Sequence, residues 1–285
     1  MLTGRRIAWG RGFLFALGGL LFLLIFLFVL SLSLPGEAIL SMVRPHLAKA
    51  GMNLSAEEVR FAFPVSVRMR NADLLLPQGE SIRLDSVDAS FEPLGLFRGL
   101  PFRVTVRKGF GSAEVRTSPA FWNPGRLQMR LSRIDHDALT PPLAPRSDFD
   151  FSLTSGELRG KQSDGALTGN GSASLSLLRI PIPSRESPVR EAEIRDAEIR
   201  FALRGGTLHV SSFTGSYEGA RVEGTGEVER VFTPLQSTVT LHLTIVNPLE
   251  GKVATLFDLV AKNAKNGTLR ITGTPFAPRG EFRFF

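Results

Sequence analysis

From Val65 onward, apolar and polar residues alternate almost one by one. Val65, Val67 and Met69 interleave with Ser66, Arg68 and Arg70, and Ile82 and Leu84 with Arg83 and Asp85. Val87, Ala89 and Phe91 resume after a phase change of one position. Phe102, Val104 and Val106 interleave with Arg103, Thr105 and Arg107. The alternation returns at Leu127–Leu131, Phe149–Leu153, Ala173–Leu177, Ile199–Leu203, Leu208–Val210, Ala220–Val222 and Val239–Ile245. A period of two places apolar side chains on one face of a strand and polar ones on the other. Pro77-Gln78-Gly79, Pro93–Gly99, Lys108–Gly111 and Gly205-Gly206 read as turns, and so does the glycine-rich Gly165–Gly171. A dozen or more short antiparallel strands follow, with Val104, Leu175, Phe201 and Leu241 expected on the inward face.

Two segments have helical spacing instead. Ile39, Met42, Val43, Leu47 and Ala50 recur at intervals of three and four before Gly51, with Pro45 inside the pattern. Val253, Leu256, Phe257, Val260 and Ala264 do the same, placing a helix near 251–265 that ends at Asn266-Gly267.

Phe13 to Leu34 carries no formal charge. As a helix it would measure about 33 Å, enough to cross a hydrocarbon core of roughly 30 Å. Arg5, Arg6 and Arg11 precede it, which favours a cytoplasmic N-terminus. A cleaved signal peptide is the competing reading, but its apolar core is shorter and ends at a small-residue site, whereas Leu32-Ser33-Leu34-Pro35-Gly36 follows here. The expectation is a basic flank at 1–12, a transmembrane anchor at 13–34 and a juxtamembrane helix at 35–51. A first β-rich region at 52–139, a proline-rich joint at 140–148 and a second β-rich region at 149–285 complete the chain. A continuous sheet with irregular loops is the alternative to two regions. The fold class expected is therefore mainly β: one transmembrane helix, then an elongated, curved antiparallel sheet.

Composition narrows the chemistry. The chain has no cysteine, which excludes disulfides, thiol nucleophiles and thiolate metal sites. Net charge is +7, of which the N-terminal arginines supply +3. The remaining basic residues alternate with apolar ones and do not cluster with aromatics, so no nucleic-acid partner is expected. His46, His136, His209 and His242 lack metal-motif spacing. No nucleophile elbow, Walker loop or dinucleotide fingerprint occurs. No catalytic, cofactor or metal residue is expected, and the chain reads as a non-enzyme.

Four stretches carry a resemblance. Gly51-Met52-Asn53-Leu54-Ser55-Ala56-Glu57-Glu58-Val59 follows the short helix, and Ile82-Arg83-Leu84-Asp85-Ser86-Val87 leads into Leu94-Gly95-Leu96-Phe97-Arg98-Gly99. Gly206-Thr207-Leu208-His209-Val210 runs on to Gly224-Thr225-Gly226-Glu227-Val228, and Leu269-Arg270-Ile271-Thr272-Gly273-Thr274-Pro275 comes near the end. In these the chain resembles protein N of the type II secretion system and, more distantly, the AsmA-like envelope proteins. The resemblance implies an inner-membrane protein with a periplasmic β-rich body, scaffolding other secretion-system envelope proteins. The alternative it implies is an AsmA-like protein that handles phospholipid, or assists outer-membrane biogenesis, through an apolar β-sheet groove.

Overall fold

The computed structural model describes residues 53–62, 66–75, 81–118, 125–135, 149–163, 166–183, 190–231, 236–246, 266–275 and 277–284, together with Ser41, Arg44, Pro45, Ala48, Ala254 and Thr255. The last six are helical. The joint expected at 140–148 lies outside the described residues, as does the helix near 251–265 apart from Ala254 and Thr255. The chain divides into two compact units, Met1–Phe91 and Glu92–Phe285.

The first unit contains β1 (Asn53–Ala62), β2 (Ser66–Leu75) and β3 (Ser81–Phe91), an antiparallel meander. The phase change read at Asp85 runs across all three strands. Apolar positions shift parity between Ala56 and Val59, Met69 and Ala72, and Leu84 and Val87. At that level Asn71 adopts φ 45° and donates from Nδ2 to Glu57 Oε2 at 2.7 Å, while Arg83 reaches Glu57 Oε1 at 3.2 Å. The shift keeps Leu54, Met69 and Ala72 in one buried cluster with Val59, Leu74, Leu84 and Val87.

The second unit begins with a 3₁₀ turn, Pro93–Arg98, and continues through β4 (Phe102–Lys108), β5 (Gly111–Thr117), β6 (Gly125–Asp135), β7 (Asp150–Ser163) and β8 (Ala166–Pro181). Then come β9 (Glu191–Arg204), β10 (Thr207–Tyr217), β11 (Ala220–Glu229), β12 (Thr238–Val246), β13 (Asn266–Thr274) and β14 (Ala277–Phe284). Each strand pairs antiparallel with the next. Hairpins of this kind need only short turns, which the Gly205-Gly206 pair supplies at φ 58° and 82°.

The apolar face closes on itself at one end of these strands. Ile180, Ile194, Phe213, Val222, Leu243, Ile245 and Leu269 are each almost wholly buried in one cluster. There β14 packs back across β8: a Cβ placed on Gly280 would stand 3.0 Å from Ile182 Cγ1 and 3.5 Å from Ile180 Cγ2. Burial of this extent contributes about 1.5–3 kcal/mol per large aliphatic side chain, so this end is the anchor of the unit.

The expected transmembrane helix requires correction. A span needs about 20 consecutive apolar helical residues. Among the described residues no helix is long and apolar enough to cross a membrane; backbone groups there are satisfied mainly between strands. Residues 13–34, and Arg5, Arg6 and Arg11 beside them, lie outside the described residues. The single-pass fold class and the inner-membrane localisation with a periplasmic body are therefore not supported, and the secretion-scaffold role built on that anchor falls with them.

Candidate functional site

Two surfaces of the second unit are built in ways a closed sandwich would not need. The first is the apolar face away from the closed cluster. Cross-strand partners there form rows: Val104–Val115–Met129–Leu158–Gly171–Phe201, and Leu127–Gly160–Gly169–Leu203 beside it. Val104, Val115, Leu127, Met129, Leu158 and Phe201 are only half-buried. Gly160 and Gly169 sit in the middle of the second row and Gly171 near the end of the first, and neighbouring side chains lean into the space a Cβ would take: Leu167 Cδ1 stands 3.2 Å from that point at Gly160 and Leu158 Cδ1 3.1 Å from it at Gly169. Phe201 leans over Gly171, with Cζ 2.5 Å from where a Cβ would sit. The result is an apolar strip that is half-exposed along most of its length and buried at Leu203.

The residues expected on the inward face are distributed along it. Leu175 and Leu241 are half-buried against the closed cluster. Val104 faces Val115 across β4 and β5, and Phe201 faces Gly171. Gly169 and Gly171, read from sequence within a turn, stand inside β8 instead. The available signal was Leu167, Gly169, Gly171 and Ala173 alternating with Thr168, Asn170 and Ser172, a strand pattern with small residues on one face.

The second surface is on the opposite, polar face. Arg126 pairs with Lys161 and Lys161 with Thr168, while Gln128 pairs with Arg159 and Arg159 with Asn170. These two rows, with Leu100, Leu203, Arg204 and the Leu127, Gly160 and Gly169 that lie between them in sequence, line a cavity of about 670 Å³. Four cations and no carboxylate line it. Arg159 Nε donates to Glu157 at 2.9 Å, and Arg126 Nη1 donates to the Arg98 carbonyl at 3.1 Å. Lys161 and Arg204 make no ion pair among the described residues.

Elsewhere on the polar face several carboxylates are shared between two basic side chains. Glu114 lies between Arg103 and Arg116, both at 2.7 Å, and Glu193 between Arg195 at 2.6 Å and Arg179 at 3.3 Å. Glu157 accepts from Arg159 and Gln128, which hold its carboxyl below the usual range. Arg195 and Arg179 do the same for Glu193. These ion pairs tie neighbouring strands and next-but-one residues of the same strand together. His209 Nδ1 stands 3.7 Å from Glu227 on an exposed strand surface. Among the described residues no group of three or more His, Asp or Glu could hold a metal ion. His46 and His136 lie outside the described residues.

No protein-family model, curated protein or solved structure matches the chain.

Proposed function

We propose that the chain is a non-catalytic, AsmA-like lipid-handling protein whose uncovered apolar sheet face receives the acyl chains of a phospholipid. One observation carries this reading: six large apolar side chains across β4–β9 remain half-buried in a unit that buries its other end almost completely. Leaving such a strip uncovered forgoes roughly 25 cal/mol for every Å² not removed from water. A ligand with flexible hydrocarbon chains recovers that energy without requiring a fixed shape.

Site-specific photo-crosslinking in cells tests the reading. A photoreactive residue at Met129, half-buried on the apolar face and outside the cationic cavity, should yield phospholipid adducts. One at Arg130, exposed on the polar face, should not. Protein adducts alone at Met129, or equal lipid labelling at both positions, would overturn the proposal.

A further inference from the structure

The turn that opens the second unit displays apolar side chains that its own construction could have hidden. Glu92 N donates to the Pro101 carbonyl at 2.7 Å, Gly95 N to Glu92 O at 2.8 Å and Leu100 N to Gly95 O at 2.9 Å. Gly99 closes the turn in the left-handed region at φ 72°, its N donating to Leu96 O at 3.1 Å. Gly95 is packed so closely that a Cβ would stand 2.5 Å from the Leu100 carbonyl oxygen. The backbone is therefore tightly specified. Yet Leu94 is 79% exposed, Phe97 89% and Leu96 44%.

Basic groups adjoin this apolar tip. Arg98 is exposed within the turn, and Arg126 binds its carbonyl. Leu100 and Arg126 line the cationic cavity together with Arg159, Lys161 and Arg204. The neighbouring carboxylate, Glu92, faces Arg103 at 3.4 Å and Arg116 at 3.9 Å, so its charge is already matched. Exposed Leu and Phe beside Lys161 and Arg204, which no carboxylate among the described residues matches, are what an anionic bilayer surface recognises: the apolar groups enter the interface while the cations meet phosphates.

We propose that this corner of the second unit, Leu94, Phe97 and the cationic cavity, docks on the surface of an anionic phospholipid bilayer. A water-soluble polyanion would use the cavity but gain nothing from Leu94 and Phe97. An apolar protein partner would gain nothing from the cations. The docking goes beyond the lipid-handling reading, because it needs no acyl chain on the opposite face.

The absence of cysteine permits a local test on the full chain. Phe97→Cys is labelled with an environment-sensitive fluorophore and reconstituted into vesicles of phosphatidylcholine alone or with phosphatidylglycerol. Phe110→Cys is the control. Phe110 is 91% exposed in the β4–β5 hairpin, at the far end of strands about 20 Å long. The probe at 97 should blue-shift and be quenched by lipid-borne quenchers, more strongly with phosphatidylglycerol, while the probe at 110 stays in water. Adding Lys161→Glu and Arg204→Glu should reduce the preference for anionic vesicles by about tenfold or more, given the strength of basic residues near a charged surface. A water-exposed probe at 97, an equal response at both sites, or no dependence on lipid charge would overturn the docking. Phospholipid adducts at Met129 with a water-exposed probe at 97 would leave the lipid-handling reading standing. A buried probe without those adducts would do the reverse.

Discussion

Phe201 of β9 covers Gly171 of β8, its cross-strand partner, with ring atoms Cζ and Cε2 standing 2.5 and 2.6 Å from where a Gly171 Cβ would be. The ring can take that place only because the position has no side chain, and the Glu157 carbonyl oxygen crowds the same point from the backbone of β7. Gly171→Ala should therefore lift Phe201 out of place and destabilise the second unit by about 1–3 kcal/mol, the usual cost of overpacking. Gly171→Ala combined with Phe201→Leu should recover part of the loss. Denaturant unfolding of the two variants checks this; an unchanged midpoint for the single variant contradicts the packing.

The strands themselves were legible because one residue in two is apolar from Val65 to the end of β13, and little competes with that signal. The parity shift at Asp85 was legible for the same reason, although its breadth was not. That Asn71 takes φ 45° and lines up with Glu57 depends on register, which a single strand's pattern does not contain. Gly169 and Gly171 were misplaced because glycine clusters signal turns locally, and only the pairing across β7, β8 and β9 reveals their shared face. The recurring Glu-apolar-Arg triplets at Glu114, Glu157, Glu193 and Glu281 were visible but unread. On a strand the first and third residues share a face, so each pair meets there. The cationic cavity draws on β6, β7, β8 and β9, separated in sequence by as much as 78 positions between Arg126 and Arg204, and no local motif announces it.

The two ends of the apolar face should respond differently to truncation. Leu243 is completely buried in the closed cluster, so Leu243→Ala leaves a cavity and should cost about 2–5 kcal/mol. Leu127 is half-buried on the uncovered strip, and Leu127→Ala should cost no more than about 1.5 kcal/mol. Urea unfolding of both variants gives the comparison. Equal large losses would mean that the strip is covered as thoroughly as the cluster.

Acid should weaken the polar face at Glu114. Burial pushes this carboxyl up, but hydrogen bonds from Arg116 and Arg103 outweigh it and hold the group below its ordinary value. Its stabilising effect is then fully present above the unfolded carboxyl pKa and is lost as pH falls through the lower folded one. Glu114→Gln should cost about 1–3 kcal/mol at neutral pH, since it leaves two guanidinium groups short of a charged acceptor. The gap from the parent chain should close in strong acid. Unfolding midpoints measured across the acid range test this, and a gap independent of pH would rule out the ionised pair as its source.

Tyr217 offers a single-residue probe of the closed end, because the chain contains no other tyrosine. It is 4% exposed, and its ring centroid lies 6.5 Å from that of Phe282 on β14. Burial, reinforced by the charges of Glu218 and Glu191, pushes its phenol up to about 12 from 10.0. Between those two values the folded chain keeps a proton that the unfolded chain has released, so stability falls as pH rises through about 10. The two-unit gap corresponds to about 3 kcal/mol lost by the upper end of that range. Tyrosinate absorbance should therefore titrate near 12, or abruptly earlier if the unit unfolds first, and Tyr217→Phe should remove most of the alkaline loss. A smooth titration near 10 with the fold intact would place Tyr217 in water and reopen the end of the sheet where β14 meets β8.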